Sequence, residues 1–355
     1  MEKDETINPQ INFVTFNQEF TLIAVGLQKG FSIFSKYPMN SHYRRETDGG
    51  IGIIEMLDRC NIMCLVGGGT HPQFDPQIVI IWNDSTQKVE YELKIPEPIK
   101  AVRMKESKIF VITETKIYIY EFLKTEPIEV IETFPNPNGI FGYALSVKVN
   151  VIAYPTKDKC GHVTIKHEQN HKSLGIQAHN GKINCLAMNN DGSLLSTASD
   201  KGTIIRIYDA HTGKQIQEVR RGSDYCSIHY MVFNADSSLF MCNSNRGTIH
   251  LFRLKSREDT QGGSSANQKS YFGKIANMIG VKSEYLNSEW SFAQYKIPDH
   301  SEKAICCFGP DNTIIIVTEN GVYYQAAYNE KTGGPMTHVQ KRNMFEISED
   351  KIESS

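Results

Sequence analysis

The sequence predicts an all-β fold, a seven-bladed WD-repeat-like β-propeller with a long loop in blade 6. Three observations predict it. Short apolar runs recur with turn residues between them. The runs group into four-strand units that repeat. Worn forms of the Trp-Asp dipeptide stand inside two of those units. In chain order the runs begin with "INFVTF" (11–16), "TLIAVG" (21–26) and "GFSIFSK" (30–36). Then come "NIMCLVGG" (61–68), "QIVIIWND" (77–84), "IKAVRM" (99–104), "KIFVITE" (108–114) and "KIYIYEF" (116–122). They are rich in Ile, Val, Tyr and Phe and are bounded by Gly, Asn, Asp or Lys, which is the signature of strands.

The repeat is clearest between 182–219, "KINCLAMNNDGSLLSTASDKGTIIRIYDAHTGKQIQEV", and 226–255, "CSIHYMVFNADSSLFMCNSNRGTIHLFRLK". Both read strand, Asp-containing turn, Ser-rich strand, Gly-Thr, alternating apolar strand. Residues 16–36 and 306–328 follow the same plan. A period of about 40 residues is that of a propeller blade. A sandwich would also give many strands, but not one four-strand unit over and over. The units are placed at 11–46, 50–95, 96–134, 138–172, 173–218, 219–300 and 301–345 of a single propeller spanning 1–355. The Trp-Asp dipeptide is worn to "IYD" (207–209) and "IWND" (81–84). The first and last units each hold four strands of their own, so the ring is expected to close by packing and not by a shared strand.

Residues 256–290 interrupt the sixth unit. Their first part is polar and Gly/Ser-rich and reads as disordered. The second, "YFGKIANMIGVK" (271–282), sets Phe272, Ile275, Ala276 and Ile279 on one face at helical spacing, flanked by Lys269, Lys274 and Lys282. Such a basic amphipathic segment suits a membrane interface, or its apolar face folds back on the propeller.

Composition narrows the function. The chain has 355 residues, 40% hydrophobic and 22% charged, with net charge −2. A nucleic-acid binder driven by bulk charge is not indicated, so any anion site must be local. No run of about 18 apolar residues is present to span a bilayer, and "MEKDETINPQ" lacks the apolar core of a signal peptide. The eight cysteines show neither metal spacing nor a disulfide framework and read as reduced, mostly buried thiols of a cytosolic protein.

One stretch poses a chemical question. "EVRRGSDYC" (218–226) places Arg220 and Arg221 side by side among strand-like residues. Neighbours on an extended chain point to opposite sides, so the two would serve different partners. Arginine reads phosphate through two parallel, charge-assisted hydrogen bonds. A pocket on either side needs small hydroxyls, backbone N–H groups and an imidazole. On the N-terminal side stand His179, Thr197, Ser199, Gly202, Thr203 and Arg206; on the C-terminal side stand Ser244, Thr248 and His250. The alternative is a solvated Arg pair among the polar networks common in such blades.

"VRRG" between two such units resembles the "FRRG" or "LRRG" motif of the PROPPINs, the WIPI-type seven-bladed propellers. "DRCNIMCLVGGG", "IWND", "IKAVRM", "HPQFDPQ", "NPNG", "SDKGTIIRIYD" and "SEWSFA" also look like family stretches in the expected order. The resemblance covers nearly the whole chain and is closest to the shorter "LRRG" subgroup. It implies binding of phosphatidylinositol 3-phosphate and phosphatidylinositol 3,5-bisphosphate. One site would use His179, Thr197, Ser199, Gly202, Thr203, Arg206 and Arg220. The other would use Arg221, Gly222, Ser244, Thr248 and His250. The blade 6 loop would insert Phe272, Ile275, Met278 and Ile279 into the bilayer. Val219 stands where an aromatic residue or leucine is usual, and Thr197 where serine is common. The resemblance further implies a monomeric role in autophagy, on autophagosome-precursor, endosomal or vacuolar membranes. An autophagy lipid-transfer protein would dock on the early blades. Cofactor, metal and catalytic residues are not expected.

Rival motifs are weak. "HEQNH" (167–171) fits the zincin pattern, but it follows a strand and precedes another, so a polar turn is expected. "GGGT" (67–70) lacks the Gly-Lys-Ser/Thr of a P-loop and reads as a turn after a buried strand. Asn83-Asp84-Ser85 is a glycosylation sequon that a cytosolic chain would not use. A scaffolding propeller in which lipid binding is secondary or lost is the main functional alternative. A hydrolase built on the propeller is the third.

Overall fold

The computed structural model describes residues 9–255, 289–298 and 303–346. Seven antiparallel sheets follow one another along the chain and form a seven-bladed β-propeller. Their strands span 11–45, 51–94, 101–132, 142–177, 183–220, 228–296 and 304–343. Within each blade the strands run in chain order from the centre to the rim.

Position within the blade explains the residue pattern. A middle strand has a neighbouring blade on both faces, so both of its side-chain rows are buried. Thr313–Thr318, "TIIIVT", is buried throughout, and so is Leu194–Ser199. A rim strand meets solvent, and Lys88–Lys94, "KVEYELK", is mostly exposed. The core is therefore a ring of separate inter-blade clusters. One joins blades 7 and 1 through Phe16, Ile23, Leu27, Cys307, Ile315 and Tyr323. Those two blades are built from their own strands, so the ring closes by this packing without strand exchange. Six of the eight cysteines are buried and none forms a disulfide. Burial pushes the Cys185 and Cys307 thiols up to about 12, which keeps them protonated and unreactive.

The repeat has a concrete basis. Asn17, Asn189 and Asn234 each directly follow an inner strand, and each side-chain oxygen accepts the N–H of Leu22, Leu194 or Leu239, at 2.9, 2.8 and 2.8 Å. The same hydrogen bond shapes the same turn in blades 1, 5 and 6. The worn "IWND" still joins blades. Its buried Asp84 accepts both Arg45 Nε (2.9 Å) and Nη2 (3.0 Å), tying blade 2 to blade 1.

Two boundaries differ from the sequence expectation. Blade 4 extends to Gln177, because Lys172 follows a one-turn 3-10 segment (Glu168–Asn170) inside the blade and not a gap between blades. Blade 5 extends to Arg220, so its rim strand is Gln215–Arg220. "HEQNH" is that inter-strand turn, with His171 in the left-handed region at φ 52°.

Blades 5 and 6 also gain a fifth strand each. Glu289–Trp290 pairs in parallel with Val219–Arg220, and then Ala293–Lys296 becomes the rim strand of blade 6. Gly334–Pro335 pairs in parallel with Ala293–Gln294. Each addition covers a rim edge that would otherwise offer unpaired backbone groups.

At the centre, Glu55 is buried with Gln18, Arg103 and Tyr143 around it. Gln18 donates to Glu55 at 3.1 Å, and Arg103 lies 3.5 Å away. Burial pushes the Glu55 carboxyl up to about 7 against the pull of Arg103. No sequence pattern marks this cluster, because its members come from four blades.

Candidate anion site at the seam of blades 4, 5 and 6

Arg220 is the last residue of the blade 5 rim strand, and Arg221 continues it with an N–H bond to Thr203 O at 3.0 Å. Val219 points into the cluster shared with blade 6, beside Cys226, Cys242 and Phe252. Alternation then sends Arg220 to the blade 4 side and Arg221 to the blade 6 side. Each arginine is only 8% exposed.

The blade 4 flank is a ladder. Thr197 pairs with Arg206, and Arg206 with Glu218, two residues before Arg220. Arg206 Nε meets Glu218 at 3.0 Å, and its Nη1 donates to Ala178 O at 2.6 Å. His179 Nε2 is 2.9 Å from Thr197 Oγ1. Burial, with the Arg206 charge second, lowers the His179 imidazole to about 4. The hydroxyls of Ser199 and Thr203 accept and donate no hydrogen bond among the described residues.

The blade 6 flank is built differently. Arg221 Nε donates to Gly202 O at 3.2 Å and Nη2 donates to Asp224 O. Among the described residues no carboxylate lies within ion-pair distance of Arg221. His250 Nδ1 is 3.2 Å from Ser291 Oγ, which also accepts from Gln294 at 2.8 Å. Burial and then the Arg221 charge hold His250 down to about 3. Ser244 ends a middle strand and Thr248 begins the next, across from Lys296. Both histidines are neutral at pH 7, so the permanent cations of the site are the arginines.

The two glycines differ. Gly202 has φ +61°, and a Cβ there would stand 2.0 Å from Cys226 O, so a side chain is excluded. A Cβ at Gly222 would meet nothing within 4 Å, so packing does not demand glycine there.

Sequence reasoning missed Glu218 as the partner of Arg206, and it missed Ser291, Gln294 and Gln217. Gln217 is buried and gathers the chain on both sides of residues 256–288. Its amide donates to Arg253 O (3.0 Å) and Glu289 Oε2 (2.7 Å), and its oxygen accepts Lys255 N (3.0 Å). Lys255 and Glu289 pair at 2.6 Å. A single buried Gln on a rim strand gives no sequence signal, since its partners lie 36–72 residues away. Phe272, Ile275, Met278 and Ile279 lie outside the described residues.

The family model described as PROPPIN matches residues 10–339. The chain belongs to the PROPPIN family. Autophagy-related protein 18 of Dictyostelium discoideum is 31% identical over 347 residues, covering 93% of this chain and 92% of that protein. Autophagy-related protein 18e of Arabidopsis thaliana is 32% identical over 339 residues, covering 95% and 88%. Among solved structures, Kluyveromyces lactis Hsv2 superposes with TM-score 0.76 at 22% identity, over 95% of this chain and 99% of that one. Atg21, solved in complex with the coiled coil of Atg16, superposes with TM-score 0.74 at 23% identity, over 94% and 99%. This PROPPIN is thus an autophagy-related β-propeller. No helix among its described residues is long and apolar enough to cross a membrane.

Proposed function

We propose that this PROPPIN is a non-enzymatic effector of phosphatidylinositol 3-phosphate and phosphatidylinositol 3,5-bisphosphate, recruited to membranes in autophagy. The observation that carries the reading is Arg221, a buried guanidinium that meets carbonyl oxygens but no carboxylate among the described residues. A buried cation without a counter-charge is costly, and a phosphate monoester removes that cost. Ser244, Thr248 and His250 complete its pocket. Arg220 and Arg206 supply the second anion site on the other side of the strand, with Ser199, Thr203 and Thr197 as hydroxyl partners. Gly222 leaves room for close approach of a headgroup. Each pocket binds weakly alone. Two pockets on one rim, with Phe272, Ile275, Met278 and Ile279 as an inserting surface, gain from effective concentration.

A protein partner is part of the reading. A groove of about 370 Å³ runs between blades 2 and 3, lined by Glu92, Lys94, Tyr118, Tyr120, Glu126 and Pro127. It suits an extended or helical segment of an autophagy lipid-transfer protein on the early blades.

Flotation with phosphatidylcholine vesicles carrying phosphatidylinositol 3-phosphate tests the function. The wild type floats; Arg220→Thr with Arg221→Thr stays at the bottom while its circular dichroism is unchanged. A wild type that ignores such vesicles would leave the scaffolding alternative. Turnover of the lipid would instead favour a hydrolase.

A further inference from the structure

The turn after the arginine pair carries a ring that the pockets do not use. Tyr225 is 68% exposed, and its side chain makes no hydrogen bond or ring contact among the described residues. Its backbone, by contrast, is held from both sides. Arg221 Nη2 donates to Asp224 O, and Arg246 Nη2 donates to Tyr225 O at 3.3 Å. Cys226 N–H bonds Lys201 O at 3.1 Å, and its Sγ lies 3.3 Å from Gly202 O. Ser227 and Asn245 then join the turn to blade 6 at 3.0 and 3.1 Å. The turn is thus fastened to the two tight turns of blades 5 and 6, and the ring projects from a fixed base.

Its surroundings are cationic. Lys201, Arg246 and Lys296 are exposed around the turn, and Lys296 Nζ donates to Arg246 O at 2.6 Å. The acids nearby are Asp200 and Asp224, against these three cations and the two buried arginines. An exposed, rigidly mounted aromatic ring inside a basic collar has the chemistry of a bilayer interface. The ring lies at headgroup depth with its hydroxyl wet, and the cations meet anionic lipid. A solvent-only role gives no reason for so many backbone tethers under an unpartnered ring.

We propose that Tyr225 is a membrane-interface anchor, set at the seam of blades 5 and 6 beside the Arg221 pocket by the Arg221 and Arg246 tethers. This rests on the lipid reading above and adds a contact independent of residues 256–288. Its partner is the lipid surface and not the headgroup. Tyr225→Ser should therefore lower attachment to phosphatidylcholine vesicles carrying phosphatidylinositol 3-phosphate roughly fivefold, the loss of one partly buried ring. Binding of soluble inositol 1,3-bisphosphate should stay at the wild-type level. Tyr225→Trp should restore attachment, and brominated acyl chains should quench its emission beyond the quenching of the wild-type tryptophans. If Tyr225→Ser floats like the wild type, or the added tryptophan is not quenched, the anchor is overturned while the lipid reading stands. If wild type binds neither soluble headgroup nor vesicle, both fall together, and that result is recognised before any variant is made.

Discussion

The two flanks of the strand Gln215–Arg220 use the same residue types and reach different electrostatics. On the blade 4 flank, Arg206 already holds Glu218 at 3.0 Å. On the blade 6 flank, Arg221 faces carbonyls, and Glu289 on that side is turned to Gln217 and Lys255. Both flanks bury a histidine that neighbouring arginine charge helps to keep neutral. Two pockets of similar composition are therefore unequal. Among the described residues, one has two arginines and an internal competitor. The other has one arginine and no competitor.

Removing the lone arginine should abolish this contrast. Arg221→Thr takes away the only buried permanent cation of its flank among the described residues, so calorimetry with soluble inositol 1,3-bisphosphate should show one site in place of two. Arg220→Thr leaves Arg206 in place, so two sites should persist, one weakened about tenfold, the scale of one charge-assisted hydrogen bond. Equal loss from both single variants would mean that the flanks act as one pocket.

A milder change should widen the contrast in the other direction. Glu218→Gln frees Arg206 from its competitor and should tighten the blade 4 site about threefold, as for a partly exposed ion pair. The blade 6 site should not change. No gain would mean that Arg206 is structural and never meets the ligand.

A separate contrast, read in stability and not in binding, concerns pH. Both histidines have folded values below the ordinary 6.5, at about 4 and about 3. Their stabilising contribution is therefore complete above pH 6.5 and is lost as pH falls toward those values. Glu55 runs the other way. Its folded value of about 7 lies above the ordinary 4.5, so its contribution is complete below pH 4.5 and fades as pH rises to about 7. Between pH 7 and pH 5 each group shifts stability by on the order of 2 kcal/mol. Glu55 thus offsets one histidine. Urea midpoints should fall more steeply between those pH values in Glu55→Gln than in the wild type. Parallel curves would show that Glu55 does not titrate in the fold.

Much of this was legible in the chain. Strands could be read because middle strands are buried on both faces, as in "TIIIVT", and rim strands are not. The blades could be counted because Asn17, Asn189 and Asn234 make one local bond in one repeated turn. The opposed arginines followed from alternation, which is a property of any extended strand. The boundary at residue 172 misled because a one-turn 3-10 segment inside blade 4 has the composition of a linker. Glu218 was overlooked because a carboxylate on a rim strand looks solvated until Arg206 is placed beside it.

Local chemistry along the chain is enough to specify the all-β class, the repeat, the order of the strands and the sides to which Arg220 and Arg221 point. These depend on backbone geometry and on periods of two residues and of one blade. The groups that face each arginine are a product of blade packing. Glu218 opposes Arg206, carbonyls receive Arg221, Gln217 binds chain on both sides of residues 256–288, and Tyr225 stands exposed on a fastened turn. Those outcomes depend on how three blades meet at their seams. Charge, burial and hydrogen bonding there are set by residues far apart in the chain, and no local pattern encodes the distances between them.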